Sequence, residues 1–179
     1  MDDLQQRLDV LPVSALSAHL PASVVATLPR EGVTVFRVDD DASDTAQFSE
    51  RYGFGLEDCA NTIVLRYRKG GEDRHAALVT LGSRRLDVNG AVKERLGAQR
   101  LSFAKREAAT ELTGMEFGGI TAFGLPADWV VLVDAAVMTR EQIVMGAGVR
   151  VAKLLLPPHL LASLRNVEVA SIALDLDRA

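Results

Sequence analysis

Four glycines, at 114, 118, 119 and 124, interrupt the otherwise apolar stretch Leu112-Thr-Gly-Met-Glu-Phe-Gly-Gly-Ile-Thr-Ala-Phe-Gly124. No strand period runs through it. Without a Cβ, the backbone can approach a ligand closely and turn its N–H groups toward it, as binding a carbonyl or an oxyanion requires. A tight double turn packed under a sheet has the same composition, and the residues alone leave both readings open. Other reactive types are sparse. His19, His75 and His159 stand far apart, outside any spacing that grips a metal. Cys59 and His75 could form a nucleophile–base pair, but a cysteine in Leu-Glu-Asp-Cys-Ala, just before a strand, more often serves as a small apolar residue. Gly146-Ala-Gly148 begins like a dinucleotide fingerprint, yet Lys153-Leu-Leu-Leu behind it reads as strand where that fingerprint needs helix. No Gly-Lys-Ser/Thr follows a glycine cluster, which excludes a nucleotide P-loop. No metal site and no cofactor are expected.

The scaffold that must position these groups is one domain long. The chain has 179 residues, 48% apolar and 25% charged, enough to bury ~70% of its unfolded surface without a disulfide or metal staple. A single cysteine excludes a disulfide framework and any multi-cysteine zinc site. No apolar run approaches the ~20 residues that span a bilayer, so no membrane partner is expected. Met1 to Arg7 is polar and acidic, with no cationic segment leading into an apolar one, and a cytoplasmic address is expected. The net charge of −4 argues against a non-specific nucleic-acid coat, but it is unevenly spread. Arg66 to Arg106 holds 11 Lys or Arg against 4 Asp or Glu; the rest of the chain holds 9 against 20. Such a segment suits a local anion such as a phosphate chain, or simply a set of solvated basic faces.

Residues 1–30 read as a helical lead-in, with Leu4, Leu8 and Val10-Leu11 at helical spacing, a break at Pro12, and a second short helix over Pro21–Leu28. Val33–Val38 is a strand. Asp39-Asp40-Asp41 is a turn or cap, and Asp44 caps a helix over Thr45–Tyr52. Thr62–Tyr67 and Ala76–Leu81 form a hairpin across a Gly-Gly turn. Asp87 or Asn89 opens a helix carrying Val92 and Leu96. Arg100–Phe103 is a strand, Lys105–Leu112 a helix stopped by Gly114, and Trp129–Val133 a buried strand. Gln142–Met145 and Val151–Leu156 are strands, Pro157-Pro158 opens a last helix through Leu164, and Val167–Leu174 closes the sheet. Interleaved short strands and helices without repeats predict a single α/β domain.

From Val33 to about Ala173 the sequence resembles the YbaK/EbsC family, which includes the editing domain of bacterial prolyl-tRNA synthetases. The blocks that carry the resemblance are Thr45-Ala46, Tyr52-Gly53, Asn61-Thr-Ile-Val-Leu65, Leu86-Asp87, Leu96-Gly-Ala98 and Ser102-Phe-Ala104. They continue with Glu111-Leu-Thr-Gly114, Gly118-Gly-Ile-Thr-Ala-Phe-Gly124, Val133-Asp134 and Gly146-Ala-Gly-Val-Arg-Val-Ala-Lys-Leu154. The resemblance implies a curled, open-barrel-like mixed β-sheet flanked by helices over residues 33–179, with residues 1–32 as a helical N-terminal extension. It implies a trans-editing aminoacyl-tRNA deacylase that hydrolyses the ester of a mischarged tRNA bearing a small wrong amino acid, tRNA for proline among its substrates. Its partners would be the tRNA acceptor end and a tRNA synthetase.

In that family water attacks the ester with help from the substrate's own ribose hydroxyl, while a Gly-x-x-x-Pro loop orients the carbonyl, without metal or protein nucleophile. Carried over, Gly118, Gly119, Thr121 and Asn61 are the catalytic positions, and Gly124, Gly146, Gly148, Arg150 and Lys153 bind substrate. A valine at Gly119 is expected to block the ligand while leaving the chain folded. Two positions depart from the pattern: Asn61 stands where the family has lysine, and Ala122 where the loop has proline. An uncharged Asn61 implies a weaker grip on the acceptor end, and Asn61→Lys is expected to strengthen it. Both departures also suit a binding module of the same fold that recognises an aminoacyl-nucleotide-like ligand without turning it over.

Overall fold

Short β-branched and aliphatic runs build the sheet, and small capped helices cover it. The computed structural model describes residues 6–176. Its strands are β1 (Asp9–Val10), β2 (Thr34–Arg37), β3 (Cys59–Lys69), β4 (Glu72–Leu81), β5 (Arg84–Leu86), β6 (Arg100–Phe103), β7 (Val130–Asp134), β8 (Ile143–Gly146), β9 (Ala152–Leu156), β10 (Val167–Ala170) and β11 (Ala173–Asp175). Helices are α1 (Leu16–His19), α2 (Ala22–Thr27), α3 (Thr45–Tyr52), α4 (Lys93–Leu96) and α5 (Arg106–Thr113), joined by 3-10 turns. The main sheet runs β1-β2-β9-β8-β3-β4-β7-β10, with β6 also on β3. It is mixed: β3 is parallel to β8, and β7 is parallel to β4 and β10, while the other pairs of this sheet are antiparallel. It curls without closing, since β1 and β10 remain its ends.

The local signals behave as the side chains dictate. Asp44 Oδ1 accepts the Ala46 N–H at 3.0 Å and the Gln47 N–H at 3.5 Å, which starts α3. Asp87 accepts the Ala91 N–H at 3.0 Å and opens the wide turn that leads into α4. The β3–β4 hairpin turns on Gly70 and Gly71, both at positive φ, as a two-residue hairpin turn demands. Three readings need correction. Asp9–Val10 is not the end of a helix but an edge strand on β2, because register with Phe36 and Arg37 satisfies its backbone; Leu4 lies outside the described residues. The segment after Pro157 is a 3-10 turn, Pro158–Ser163. Val167–Leu174 is two strands: β10 lies on β7, and β11 crosses to β5, a strand the sequence pattern did not show.

Alternation along the strands separates two faces. One face carries a continuous core that includes Ala77, Val79, Val131, Val133, Met145, Leu154 and Leu156. Leu11, Leu20 and Val24 from the N-terminal segment pack into it. The other face carries two separate clusters. Phe36, Phe48, Cys59, Val144 and Leu155 form one beneath α3; Leu65, Leu78, Val92, Leu96 and Leu132 form the other beneath α4. Between those clusters the sheet itself opens.

Candidate active site

The opening lies along one edge of β3. There β8 pairs only with Cys59 and Ala60, running parallel. Farther along the same strand β6 pairs with Leu65 to Arg68, running antiparallel, and the Ala104 N–H reaches the Val64 carbonyl at 3.0 Å. The two neighbours diverge, and β3 is left without a partner strand on this side between them. A pocket of about 440 Å³ fills the fork. Because it opens on an edge and not on one face, consecutive residues Asn61, Thr62, Ile63 and Val64 all line it.

Its walls come from five further elements. The N-terminal end of α3 brings Ser43 and Thr45, and β6 brings Phe103; the glycine-rich loop brings Phe117, Gly118 and Ile120; β8 and β9 bring Gly146 and Lys153. The loop reaches the fork because Gly146 has no side chain: a Cβ there would stand 2.5 Å from the Ile120 carbonyl oxygen. Gly119 is held more tightly still, since any Cβ would fall on the Val149 carbonyl. Its N–H donates to the Glu116 carbonyl at 3.0 Å, and its own carbonyl accepts the Gly148 N–H at 2.7 Å. Among the described residues, by contrast, the N–H groups of Gly118 and Ile120 meet no acceptor within the chain. Two unpaired backbone donors, two residues apart on a pocket wall, can receive a carbonyl oxygen.

Lys153 is the cation of the pocket. It is only 8% exposed, and its Nζ donates to the Ser43 carbonyl at 3.2 Å and lies 5.3 Å from the centre of the Phe48 ring. Among the described residues no carboxylate pairs with it. Burial holds its pKa below the ordinary lysine value, against a smaller pull from nearby Cys59 and Asp44. An ammonium buried with one carbonyl and one ring is under-solvated, which favours an anionic or strongly dipolar ligand beside it. Asn61 Oδ1 accepts the Thr45 hydroxyl at 2.7 Å, and its amide nitrogen has no partner within the chain. The buried Thr62 Oγ1 has none either.

The sequence model of the aminoacyl-tRNA editing domain family matches residues 39–164, which include all but the N-terminal and C-terminal ends of the sheet. The chain belongs to the aminoacyl-tRNA editing domain family. Solved structures agree in fold. A hypothetical protein, APE2540, superposes with a TM-score of 0.70 at 24% identity over 78% of this chain and 90% of its own. A protein described as a "putative trans-editing enzyme for prolyl tRNA synthetase" superposes with a TM-score of 0.69 at 21% identity, covering 78% and 85%. No curated protein sequence matches the chain.

Within this editing domain the residues carried over by resemblance divide into two groups. Asn61, Gly118, Gly146 and Lys153 meet at the pocket. Gly119, Thr121, Gly124, Gly148 and Arg150 do not line it. Thr121 is fully buried with its hydroxyl unpaired. A Cβ at Gly124 would strike the Ser23 backbone at 2.6 Å, and one at Gly148 would strike Pro21 and Val24 at 2.9 Å, so both glycines seat their loops on α2. Arg150 is committed to Asp40, with Nε 2.7 Å from its carboxylate. The contact at Gly119 means that valine there strains the packing of the loop itself and not only the approach of a ligand. Cys59 and His75 are no catalytic pair: His75 faces Arg66 on the hairpin, seven residues along β3 and so roughly 20 Å away. Burial pushes the Cys59 thiol up to about 11. Phe103, Phe117, Thr45 and Thr62 were missed as lining residues; the one trace of Phe103 in the sequence is an aromatic set between Arg100 and Lys105-Arg106.

Proposed function

We propose that the chain is a trans-acting aminoacyl-tRNA deacylase that hydrolyses the ester of a mischarged tRNA carrying a small wrong amino acid, tRNA for proline among its substrates. The observation that carries this reading is the pair of unpaired N–H groups, Gly118 and Ile120, on the wall of a pocket in an editing domain. The ester carbonyl oxygen accepts from them, and Lys153 offsets the negative charge that develops as water adds. The water oxygen bonds to the ester carbon, aligned by the substrate's ribose hydroxyl. The bond from that carbon to the ribose oxygen then breaks, and the proton from water ends on the ribose oxygen. A free amino acid and an uncharged tRNA leave. Positioning and backbone donors are strong enough contributors for such a step, since one oxyanion donor is worth about 10²–10³ in rate. The amide of Asn61 and the hydroxyl of Thr62 are the groups placed to hold the ribose.

On this reading residues 33–179 form the editing domain, and residues 1–32 extend it and brace the Gly124 and Gly148 loops through α2. The acceptor end of tRNA is the partner, with a synthetase as the source of the mischarged product, in the cytoplasm. Among the described residues no helix is long and apolar enough to cross a membrane.

A panel of mischarged tRNAs incubated with the wild-type chain and with Lys153→Met tests the proposal. Turnover of at least one small aminoacyl ester, lost in the variant, is the expected result. The second reading, a binding module, draws on the pocket's chemistry: its only ionisable side chains are Asp44, Cys59 and Lys153, and Asp44 is occupied in capping α3. Tight binding of charged tRNA with no hydrolysis of any member of the panel would select that reading.

A further inference from the structure

On the far side of Phe103 lies a second cleft of about 540 Å³, lined by residues that include Arg85, Leu86, Asn89, Leu101 and Ser102. Phe103 is the one residue shared by both linings. It ends β6 and is 56% exposed, although it is one of the largest apolar side chains in the molecule. Phe117, across the mouth of the first pocket, is 44% exposed, and the Arg106 guanidinium lies 5.1 Å from its ring centre.

The cations of the basic segment fall into two sets. Arg66 and Arg68 pair with Asp73, and Arg74 with Glu72. Arg84 pairs with Asp134 and Asp175, and Arg95 with Glu168. Arg85 on the cleft and Arg100, Lys105 and Arg106 beside Phe103 in sequence have no carboxylate partner among the described residues, and neither do Lys69 on the hairpin and Lys93 on α4. Asp87, the one carboxylate on the second cleft, is engaged by the Ala91 N–H. Exposed rings flanked by unneutralised cations are the surface that single-stranded nucleic acid requires, the rings for bases and the cations for phosphates. An acidic peptide would use the cations and leave the flat rings unexplained.

We infer that the second cleft holds the nucleotide preceding the terminal adenosine of the tRNA, so that the single-stranded acceptor end crosses Phe103 between two adjoining sites. The inference rests on the reading that the first pocket takes the acceptor end. Phe103 offers a stacking face at the crossing, and Arg85 meets the phosphate on the 5′ side of the penultimate nucleotide.

Binding of adenosine 5′-monophosphate and of the 5′-phosphorylated dinucleotide pCpA to the full chain tests it. The dinucleotide is expected to bind about tenfold or more tightly than the mononucleotide, the gain from one stacked base and one phosphate contact. Phe103→Ala and Arg85→Ala should each remove most of that gain, and Phe103→Trp should keep it. The gain should shrink as salt rises in wild type, and less steeply in Arg85→Ala. Equal affinity for the two ligands, or a gain that survives both alanine variants, overturns the inference. Deacylation is scored separately. A chain that turns over mischarged tRNA yet shows no dinucleotide gain keeps the deacylase reading and loses the second cleft, whereas the gain without turnover supports the cleft and selects the binding module.

Discussion

Along β3 the edge facing β4 is paired without a break from Ala60 to Lys69. The opposite edge is shared by β8 at one end and β6 at the other, with a gap between them. On the paired side the ladder runs on unbroken, and the residues beyond it, Ala77, Val79, Val131 and Val133, are fully buried in continuous core. On the interrupted side the same strand presents an asparagine, a threonine and its own edge to a cavity, and a buried lysine without a carboxylate stands beside them. One strand thus serves as scaffold on one edge and as site on the other. The site arises where the ladder stops, not where a reactive motif is inserted.

The largest effects should come from blocking the approach of the glycine loop to that gap. Gly119→Val puts a branched side chain onto the Val149 carbonyl and should lower stability by about 3 kcal/mol or more, a fall of roughly 6–12 °C in Tm for a chain of this size. Gly118 is the contrasting case. Its φ of 91° strains any other residue, but a Cβ there meets the Arg150 Nη1 at 3.2 Å and nothing else closer than 3.8 Å. Gly118→Ala should cost about 1–2 kcal/mol and leave a folded chain with impaired ligand binding. Equal thermal shifts for the two variants would break the distinction between scaffold and site within one loop.

Lys153→Met comes next, and stability and activity should move in opposite directions. Methionine fills the same space without a desolvated charge, so the free energy of unfolding should rise by about 1 kcal/mol while deacylation falls at least 100-fold. Because burial lowers the pKa of Lys153, wild-type activity should decline with rising pH before the ordinary lysine range is reached. The sign for stability is the reverse. The folded state favours the neutral amine, so the difference between wild type and Lys153→Met should narrow as pH rises through the lowered value.

Much of the scaffold was legible because local chemistry decides it. The Asp44 cap and the Gly70-Gly71 hairpin satisfy their own backbone within a few residues, and the apolar run Val130–Val133 marks a buried strand by its composition alone. What was not legible depends on partners distant in sequence. Asp9–Val10 is a strand only because β2 lies beside it, and β5 exists only because β11 returns to it. The candidate site shows the same division. Asn61, Gly118, Gly146 and Lys153 were named from the resemblance and do meet. The division of labour between Gly118 and Gly119 depends on the Val149 backbone, 30 residues away in the chain, and no pattern within the loop reveals it. Asn61 looked like a lost charge, but Lys153, named for the same site and two strands across the sheet, brings an ammonium into that pocket.

That correction changes the expectation for Asn61→Lys. A second ammonium would face Lys153 and leave the Thr45 hydroxyl without its acceptor, so the single variant should lose about 1 kcal/mol of stability and bind anionic ligand no better than wild type. Combined with Lys153→Met, it moves the one cation across the pocket and should recover binding, a non-additivity that a double-mutant cycle reads directly. The smallest effect belongs to Cys59. Its thiol, held near 11 in the folded chain against an ordinary value of 9.0, keeps its proton longer than in the unfolded chain. Stability should therefore fall as pH rises from about 9 toward 11, with a gentler slope in Cys59→Ala.

Amide hydrogen exchange bears most directly on the claim that the interrupted edge is the site. The ligand is alanine joined by a hydrolysis-resistant amide to 3′-amino-3′-deoxyadenosine, at saturating concentration. In the free chain Gly119 and Gly148, whose N–H groups are already bonded to carbonyls, should exchange slowly, and Gly118 and Ile120 quickly. On binding, Gly118 and Ile120 should slow at least tenfold while the other two stay as they were. Unchanged exchange at Gly118 and Ile120 in the presence of the bound analogue would contradict the account.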